Sequence, residues 1–133
     1  MVTITILGKP MSKGRPRFGN GFTYTPKKTI EYENLVRLAW MQSGAEKLSG
    51  YISASVYAYF PIPKSVSKKK RAEMCGGFYA KKPDCDNIAK IVLDALNGVA
   101  YDDDSQIVML SVIKRYSEDA KVVVVMGEVE VDE

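Results

Sequence analysis

The feature that most constrains the fold is a strict two-residue alternation in the middle of the chain. Between Tyr51 and Phe60, apolar side chains occupy every second position, at Ile52, Ala54, Val56, Ala58 and Phe60. Successive side chains of a β-strand point to opposite faces, so this pattern predicts a strand with one buried face. Such a face needs partners, which the other segments must supply as neighbouring strands and a layer of helices.

Three more segments favour strands, namely Val2–Leu7, Gln106–Tyr116 and Lys121–Val131. The last two are joined by Ser117–Ala120, which is short enough for a hairpin. Residues 8–25 are rich in Gly and Pro, so they predict a loop with a turn at Gly19-Asn20-Gly21 between short extended pieces.

Three segments favour helices. They run from Lys28, just after Pro26, to about Lys47, from Ser65 as the cap to Met74, and from Asp84 or Asp86 to Asn97-Gly98. Apolar residues at broadly helical spacing in the first of them are Ile30, Leu35, Leu38, Ala39, Met41 and Ala45. The order β, α, β, α, α, β, β predicts an α/β (α+β) fold with a mixed β-sheet of about four strands and flanking helices. With 133 residues, we expect a single domain over residues 1–133.

The composition excludes several classes of enzyme, because the chain contains no histidine. Ser-His-Asp and Cys-His triads, histidine-bound zinc and a histidine general base are therefore impossible. Cys75 and Cys85 are too few for a cysteine-only zinc site and are expected to be free thiols. No apolar run approaches a membrane span, and the N-terminus lacks the basic lead of a signal peptide, so we expect a soluble, cytoplasmic protein.

Charge is distributed unevenly along the chain. Residues 1–30 and residues 64–82 each carry a net charge of +6, whereas residues 84–104 carry −5. Basic runs on a small protein are usually solvated surface, so either run alone leaves nucleic-acid contact open. Two basic segments that flank an acidic cluster suit a phosphodiester enzyme, which needs cations for the backbone and carboxylates for a metal. The candidate phosphate contacts are Lys13, Arg15, Arg17, Lys27, Lys28, Lys68, Lys69, Lys70, Arg71, Lys81 and Lys82.

The acidic cluster contains the candidate chemistry. Asp86, Lys90 and Asp94 are four residues apart and share one face of a helix. Asp84 lies just before that helix, where its dipole favours an anion. Asp102–Asp104 precede the next strand and reach Asp84 and Asp86 only if the chain folds back after the helix. If it does, three or more carboxylates converge and need a cation, and such hard oxygen ligands select Mg²⁺ or Mn²⁺.

Structural explanations of the same residues stay open. Asp84 and Asp86 can simply cap the helix, while Asp102–Asp104 form an acidic turn, and Asp94 can be an exposed ion pair with Lys90. An EF-hand is disfavoured, because the sequence after Asp84 lacks the third acid, the central Gly and the terminal Glu of that loop. The aromatic side chains Phe18, Phe22 and Tyr24 belong either to the core or to a surface that stacks on an opened base.

At these residues the sequence resembles the RusA-like Holliday-junction resolvases, small endonucleases of bacteria and their phages. The core motif of that family reads here as Asp84-Cys85-Asp86-Asn87, Lys90, Asp94-Ala95-Leu96-Asn97-Gly98 and Asp103-Asp104-Ser105-Gln106. The segments Lys13–Phe18 and Tyr24–Thr29 also resemble the N-terminal part of phage-borne members.

The resemblance implies a small mixed sheet with flanking helices that works as a homodimer. It implies that Asp84, Asp86 and Asp104 are the metal-binding catalytic aspartates and that Lys90 is the lysine required for cleavage. Asp103 is a further candidate metal ligand. Of the three aspartates at 102–104, Asp103 and Asp104 are matched to the acidic pair of the family because of their spacing from Gln106.

We therefore expect a Mg²⁺-dependent endodeoxyribonuclease, with Mn²⁺ as a substitute metal and no small organic cofactor. It would resolve four-way DNA junctions by paired symmetric nicks during recombination and repair. The alternatives are a non-cleaving, DNA-binding recombination accessory protein of the same fold and a Ca²⁺-binding interaction module.

Overall fold

Four strands form one mixed sheet in the computed structural model, which describes residues 1–19 and 21–131. The strands are β1 (Val2–Leu7), β4 (Ile52–Pro61), β5 (Ile107–Ser117) and β6 (Lys121–Glu128), with β2 (Arg17–Gly19) and β3 (Phe22–Tyr24) forming a separate two-stranded ribbon. The helices are α1 (Lys27–Ser43), α2 (Lys68–Met74) and α3 (Cys85–Leu96), and a 3₁₀ turn covers Asp104–Gln106. The fold class expected from the sequence is therefore confirmed: a small α+β domain with a mixed four-stranded sheet.

The sheet order is β1-β6-β4-β5, so the predicted hairpin between the last two strands is wrong. β4 lies between them and pairs in parallel with β5 and antiparallel with β6. The connection at 118–120 contains no Asn-Gly or Asp-Gly pair of the kind that favours a tight hairpin. The alternating strand β4 gains a neighbour on both edges and becomes a central strand.

One face of the sheet is covered by α1 and α3, as the alternation in β4 predicts. All five alternating residues of β4 are buried there, together with Ile4 and Ile6 of β1 and Val122, Val124 and Met126 of β6. The intervening residues of β4, and those of β6 up to Val125, are only half-buried. Burial of one face against two helices is the main source of stability for such a layer.

Helix α1 ends earlier than predicted and turns a different side to the sheet. It stops at Ser43 because Gly44 adopts a left-handed conformation with φ of 72° that closes the last turn. Its buried side consists of Thr29, Tyr32, Glu33, Val36 and Trp40. The four-residue spacing of Tyr32, Val36 and Trp40 sets this face. Ile30, Leu35, Leu38 and Met41, from the predicted apolar set, are exposed.

Helix ends elsewhere agree closely with the sequence pattern. Ser67, rather than Ser65, caps α2 by accepting a hydrogen bond from the Lys70 N–H at 3.2 Å, because Ser65 belongs to the turn after Pro63. α3 follows Asp84 as predicted and ends at Leu96, with Asn97 as its C-cap. The predicted turn at Gly19-Asn20-Gly21 falls partly outside the described residues. Across the described ranges, no helix combines the length and the apolar character needed to span a membrane.

Candidate active site

Helix α3 carries a charged stripe on the side away from the core. Asp86 and Lys90 are exposed and Asp94 is partly exposed. Ile88, Ala89, Ile91, Val92, Ala95 and Leu96 are buried against the sheet and α1. The predicted division of this helix into a charged face and an apolar face is confirmed.

The N-terminal end of α3 presents two exposed carboxylates. Asp84 occupies the cap position, but within the described residues its side chain accepts no capping hydrogen bond, and Asp86 follows in the first turn. Purely structural caps normally satisfy a backbone N–H. The carboxylate of Asp84 is thus available for another partner beside the positive end of the helix dipole.

Strand β5 holds the chain segment that leads into α3. The Lys114 ammonium donates hydrogen bonds to the carbonyl oxygens of Lys81 and Pro83, at 2.7 and 2.9 Å. Upstream, the Tyr79 N–H bonds the Lys114 carbonyl at 3.0 Å, which holds residues 76–83 along the outer edge of β5. The basic pair Lys81 and Lys82 is exposed and is separated from Asp84 only by Pro83.

The acidic segment after α3 is a tightly bonded turn. Asp103 caps the 3₁₀ turn by accepting the Ser105 N–H at 2.9 Å. The Gln106 side-chain oxygen accepts the N–H groups of Asp102 and Asp103 at 2.9 and 3.0 Å, and its amide nitrogen donates to the Gly50 carbonyl at 3.1 Å. The hydrogen bonds from Ser105 lower the pKa of Asp103 below its ordinary value. The Asp-x-x-Gln part of the family motif is therefore a capping box.

Asp104 is held by a buried tyrosine. The Tyr101 hydroxyl lies 2.7 Å from Asp104 Oδ1 and 2.7 Å from the Leu93 carbonyl oxygen, in the last turns of α3. Burial raises the pKa of Tyr101 far above its ordinary value. The hydrogen bond to Asp104 and the negative charges of Asp104 and Asp94 raise it further. The hydroxyl therefore stays protonated and acts as a hydrogen-bond donor.

The predicted chain reversal exists, but it returns Asp104 to the C-terminal part of α3. Leu93 lies seven residues after Asp86, which corresponds to about 10 Å along the helix axis. Within residues 1–19 and 21–131, no group of three or more acidic or cysteine side chains is close enough to hold a metal ion. The all-carboxylate donors suit Mg²⁺ or Mn²⁺ chemically, with Asp84 and Asp86 at one end of α3 and Asp104 at the other.

Lys13 connects two helices through an ion-pair network. Its ammonium lies 3.0 Å from Glu33 of α1 and 3.3 Å from Asp94 of α3, while Lys90 lies 3.8 Å from the same oxygen of Asp94. Burial would lower the pKa of Lys13, but the hydrogen bonds and charges of Glu33 and Asp94 outweigh it and raise the pKa. The sequence suggested a phosphate contact for Lys13, and the structure places its ammonium between carboxylates.

Most of the other predicted basic residues are exposed. These are Arg15, Arg17, Lys27, Lys28, Lys68, Lys69, Lys70, Lys81 and Lys82. Arg71 is partly covered, pairs with Glu118 at 3.3 Å and donates to the Pro63 carbonyl at 3.0 Å. The Lys13 N–H also bonds the Asn87 carbonyl at 3.3 Å, so the N-terminal basic segment meets α3 near its acidic start.

Comparison with known proteins gives the family of the chain. Residues 8–127 match the family described as Endodeoxyribonuclease RusA, which covers the ribbon, all three helices and every strand of the sheet except β1. The chain belongs to the RusA endodeoxyribonuclease family. It is also 41% identical over 137 aligned positions to a Bacillus subtilis (strain 168) protein named "Uncharacterized protein YqaN", with 96% of each chain covered.

Sequence reasoning did not find the structural roles of several residues that organise this candidate site. Gln106 could have been recognised as a structural partner, because Asp-x-x-Gln before a turn is a capping-box signature. Tyr101, Glu33 and Lys114 carry no such signal, since their roles depend on contacts between distant segments. The exposed ribbon residues Phe18 and Phe22, at 77% and 59% exposure, are surface rather than core residues.

Proposed function

We propose that this protein is a Mg²⁺-dependent, structure-selective DNA endonuclease that resolves four-way junctions by paired symmetric nicks, with Mn²⁺ as a substitute. The observation that carries the proposal is the exposed pair Asp84 and Asp86 at the positive end of α3, where the Asp84 side chain makes no capping hydrogen bond within the described residues. Exposed basic segments flank this pair, in a chain of a family of endodeoxyribonucleases. Branched DNA is the substrate and the cytoplasm is the expected location.

Asp84, Asp86 and Asp104 are the residues that would hold the metal, with Asp103 as a further candidate. When bound, Mg²⁺ would supply an activated water and neutralise charge at the scissile phosphate. Lys90 would add positive charge beside the phosphate, because its side chain is 60% exposed and only weakly engaged with Asp94 at 3.8 Å. The exposed lysines and arginines would bind the backbone on both sides of the cut.

The ribbon β2–β3 would contact the branch point of the DNA. Phe18, Phe22 and Tyr24 are exposed at 77, 59 and 45%, and Arg17 precedes them. Exposed aromatic rings beside cations suit stacking on unpaired bases, which a junction presents where its strands exchange.

A homodimer suits both the substrate and the arrangement of acids. A four-way junction has two-fold symmetry, and paired nicks need two equivalent sites. In one chain Asp104 is held by Tyr101 beside Leu93, about 10 Å along the axis of α3 from Asp86, so we expect a second copy to complete the carboxylate set. Sedimentation should then give about twice the chain mass of 14.8 kDa at micromolar concentration.

Mixing two inactive variants tests this shared site. If Asp84 and Asp104 of different chains act together, a mixed dimer of Asp84→Asn and Asp104→Asn chains has one intact site and makes single nicks. If both residues act within one chain, every site in the mixed dimer has a defect and the mixture stays inactive.

The direct test of the proposed activity is incubation of a synthetic four-way junction with Mg²⁺, followed by a denaturing gel. We expect symmetric nicks in two strands, no cleavage in EDTA and little cleavage of a linear duplex of the same sequence. Tight binding of the junction without cleavage under any divalent metal would favour the accessory protein. Tight Ca²⁺ binding without affinity for DNA would favour the interaction module.

A further inference from the structure

We propose that Tyr101 is a positioning residue that fixes the carboxylate of Asp104 for metal binding. This inference rests on the proposed function, because it assigns a role to a neighbour of one of its candidate metal ligands. It concerns a side chain that would not itself touch the metal or the DNA.

The tyrosine is rigidly held. Tyr101 is 0% exposed, its hydroxyl shares its one proton between Asp104 Oδ1 and the Leu93 carbonyl oxygen, each at 2.7 Å, and its own carbonyl accepts the Gly98 N–H at 2.8 Å. The neighbouring Ala100 carbonyl accepts the Leu48 N–H at 2.8 Å. The hydroxyl is thus anchored to the core and to α3 at the same time.

The backbone and the side chain of Asp104 are fixed by different groups. Gln106 and Asp103 set the backbone of the turn, and an ion pair of 2.7 Å between Lys47 and Asp102 adds to it. The Tyr101 hydroxyl restrains the side chain through Oδ1. Removal of that hydroxyl should therefore free the carboxylate to rotate without unfolding the turn that carries it.

A single hydrogen bond to one oxygen still permits metal coordination. A carboxylate has about four lone-pair sites, so Oδ2 and the remaining lone pair of Oδ1 can bind a cation. Hydrogen bonds to ligating carboxylates orient the ligand, and their loss typically costs 10- to 100-fold in metal affinity or activity.

Tyr32 provides a matched control. It is also buried, at 6% exposure, but within the described ranges its hydroxyl has no hydrogen-bond partner. Both Tyr→Phe changes remove one buried hydroxyl, and only the change at Tyr101 releases a candidate metal ligand. Tyr32→Phe should therefore leave metal affinity, cleavage and junction binding unchanged.

The test compares Tyr101→Phe, Tyr32→Phe and wild type in the full chain. Mn²⁺ alone is titrated by calorimetry, and junction cleavage is followed against Mg²⁺ concentration. We expect Tyr101→Phe to weaken Mn²⁺ binding about 10-fold or more and to raise the Mg²⁺ concentration for half-maximal cleavage. Junction binding in EDTA should stay within about twofold of wild type. In an Asp104→Asn background, the same change should have no further effect on Mn²⁺ affinity.

Three results would overturn the inference. They are unchanged metal affinity in Tyr101→Phe, an equal effect of Tyr101→Phe in the Asp104→Asn background, and a loss of junction binding in EDTA as large as the loss of cleavage. A wild type that binds Mn²⁺ but does not cut junctions refutes the proposed function and leaves the calorimetric test of Tyr101 valid. A wild type that binds no Mn²⁺ refutes both.

Discussion

The two ends of helix α3 carry the same kind of residue in very different surroundings. At the N-terminal end, Asp84 and Asp86 are exposed, and Asp84 makes no capping bond within the described residues. At the C-terminal end, Asp94 pairs with two lysines and Asp104 bonds a buried tyrosine. The carboxylates at the N-terminal end are thus free to accept a ligand, whereas those at the C-terminal end already have partners within the protein.

The largest expected effect is a loss of cleavage when an aspartate at either end of α3 is replaced. Asp86→Ala and Asp104→Ala should each lower junction cleavage by about 100-fold or more, because each removes a candidate metal ligand. Only Asp104→Ala should also lower the free energy of unfolding, by about 1 kcal/mol, since it deletes the charged one of the two acceptors of the Tyr101 hydroxyl.

Denaturant melts and single-turnover cleavage of both variants measure the two effects. Glu73→Ala, an exposed acid of α2, is the control and should change neither quantity. Normal cleavage by either variant removes that aspartate from the site.

Replacement of Lys13 measures how much its ion pairs near the C-terminal end of α3 stabilise the fold. Lys13→Met leaves Glu33, whose side chain is only 8% exposed, without its ion-pair partner. Loss of one partner of a buried pair is costly, and the partial exposure of Lys13 reduces the effect to about 2 kcal/mol of unfolding free energy. Chemical denaturation measures it, with the exposed Lys28→Met as a neutral control.

The same ion pair predicts a dependence on alkaline pH. The folded state raises the pKa of Lys13 above its ordinary value of 10.5, so the stabilisation is complete below that pH. It is lost as the pH rises through the higher folded pKa. The stability difference between wild type and Lys13→Met should therefore shrink above pH 10.5, and a constant difference would contradict the ion-pair explanation.

The basic run on α2 should reveal a DNA contact through the salt dependence of binding. If Lys69 and Lys70 of α2 contact phosphates, their replacement by Ala should reduce the slope of log affinity against log salt by about 2 units. Lys47→Ala is the control and should leave the slope unchanged, because Lys47 is paired with Asp102 at 2.7 Å. Equal slopes for all three proteins would mean that the run on α2 is merely solvated.

The smallest effect concerns the capping turn. Because the pKa of Asp103 is lowered below 3.8, the ionised carboxylate stabilises the fold above that pH, and this contribution is lost as the pH falls through the folded pKa. Asp103→Asn should therefore melt below wild type near neutral pH, and the gap should close below pH 3.8. A gap that persists in acid would assign the effect to geometry rather than to charge.

The sequence predicted most of the elements and the charged face of α3, because both depend on local periodicity. It failed where tertiary contacts decide. The insertion of β4 between β5 and β6 depends on burial of the most regularly alternating strand. The buried face of α1 depends on Tyr32 and Trp40, which an apolar-only pattern did not weigh. The distance between Asp104 and Asp84 depends on Tyr101, whose role becomes visible only when Leu93 and Asp104 are seen together.

The central position of β4 also dictates when the sheet can form during synthesis. Ile52 pairs with Ile107, Tyr59 pairs with Lys121, and Leu7 of β1 pairs with Lys121 on the opposite edge of β6. Every ladder of the sheet therefore joins segments that leave the ribosome far apart in time, and loop closure must precede any gain from pairing. The acidic segment between β4 and β5 emerges before its supporting strands are paired, so a nascent chain would carry the candidate nuclease residues on an unassembled scaffold until β6 is made.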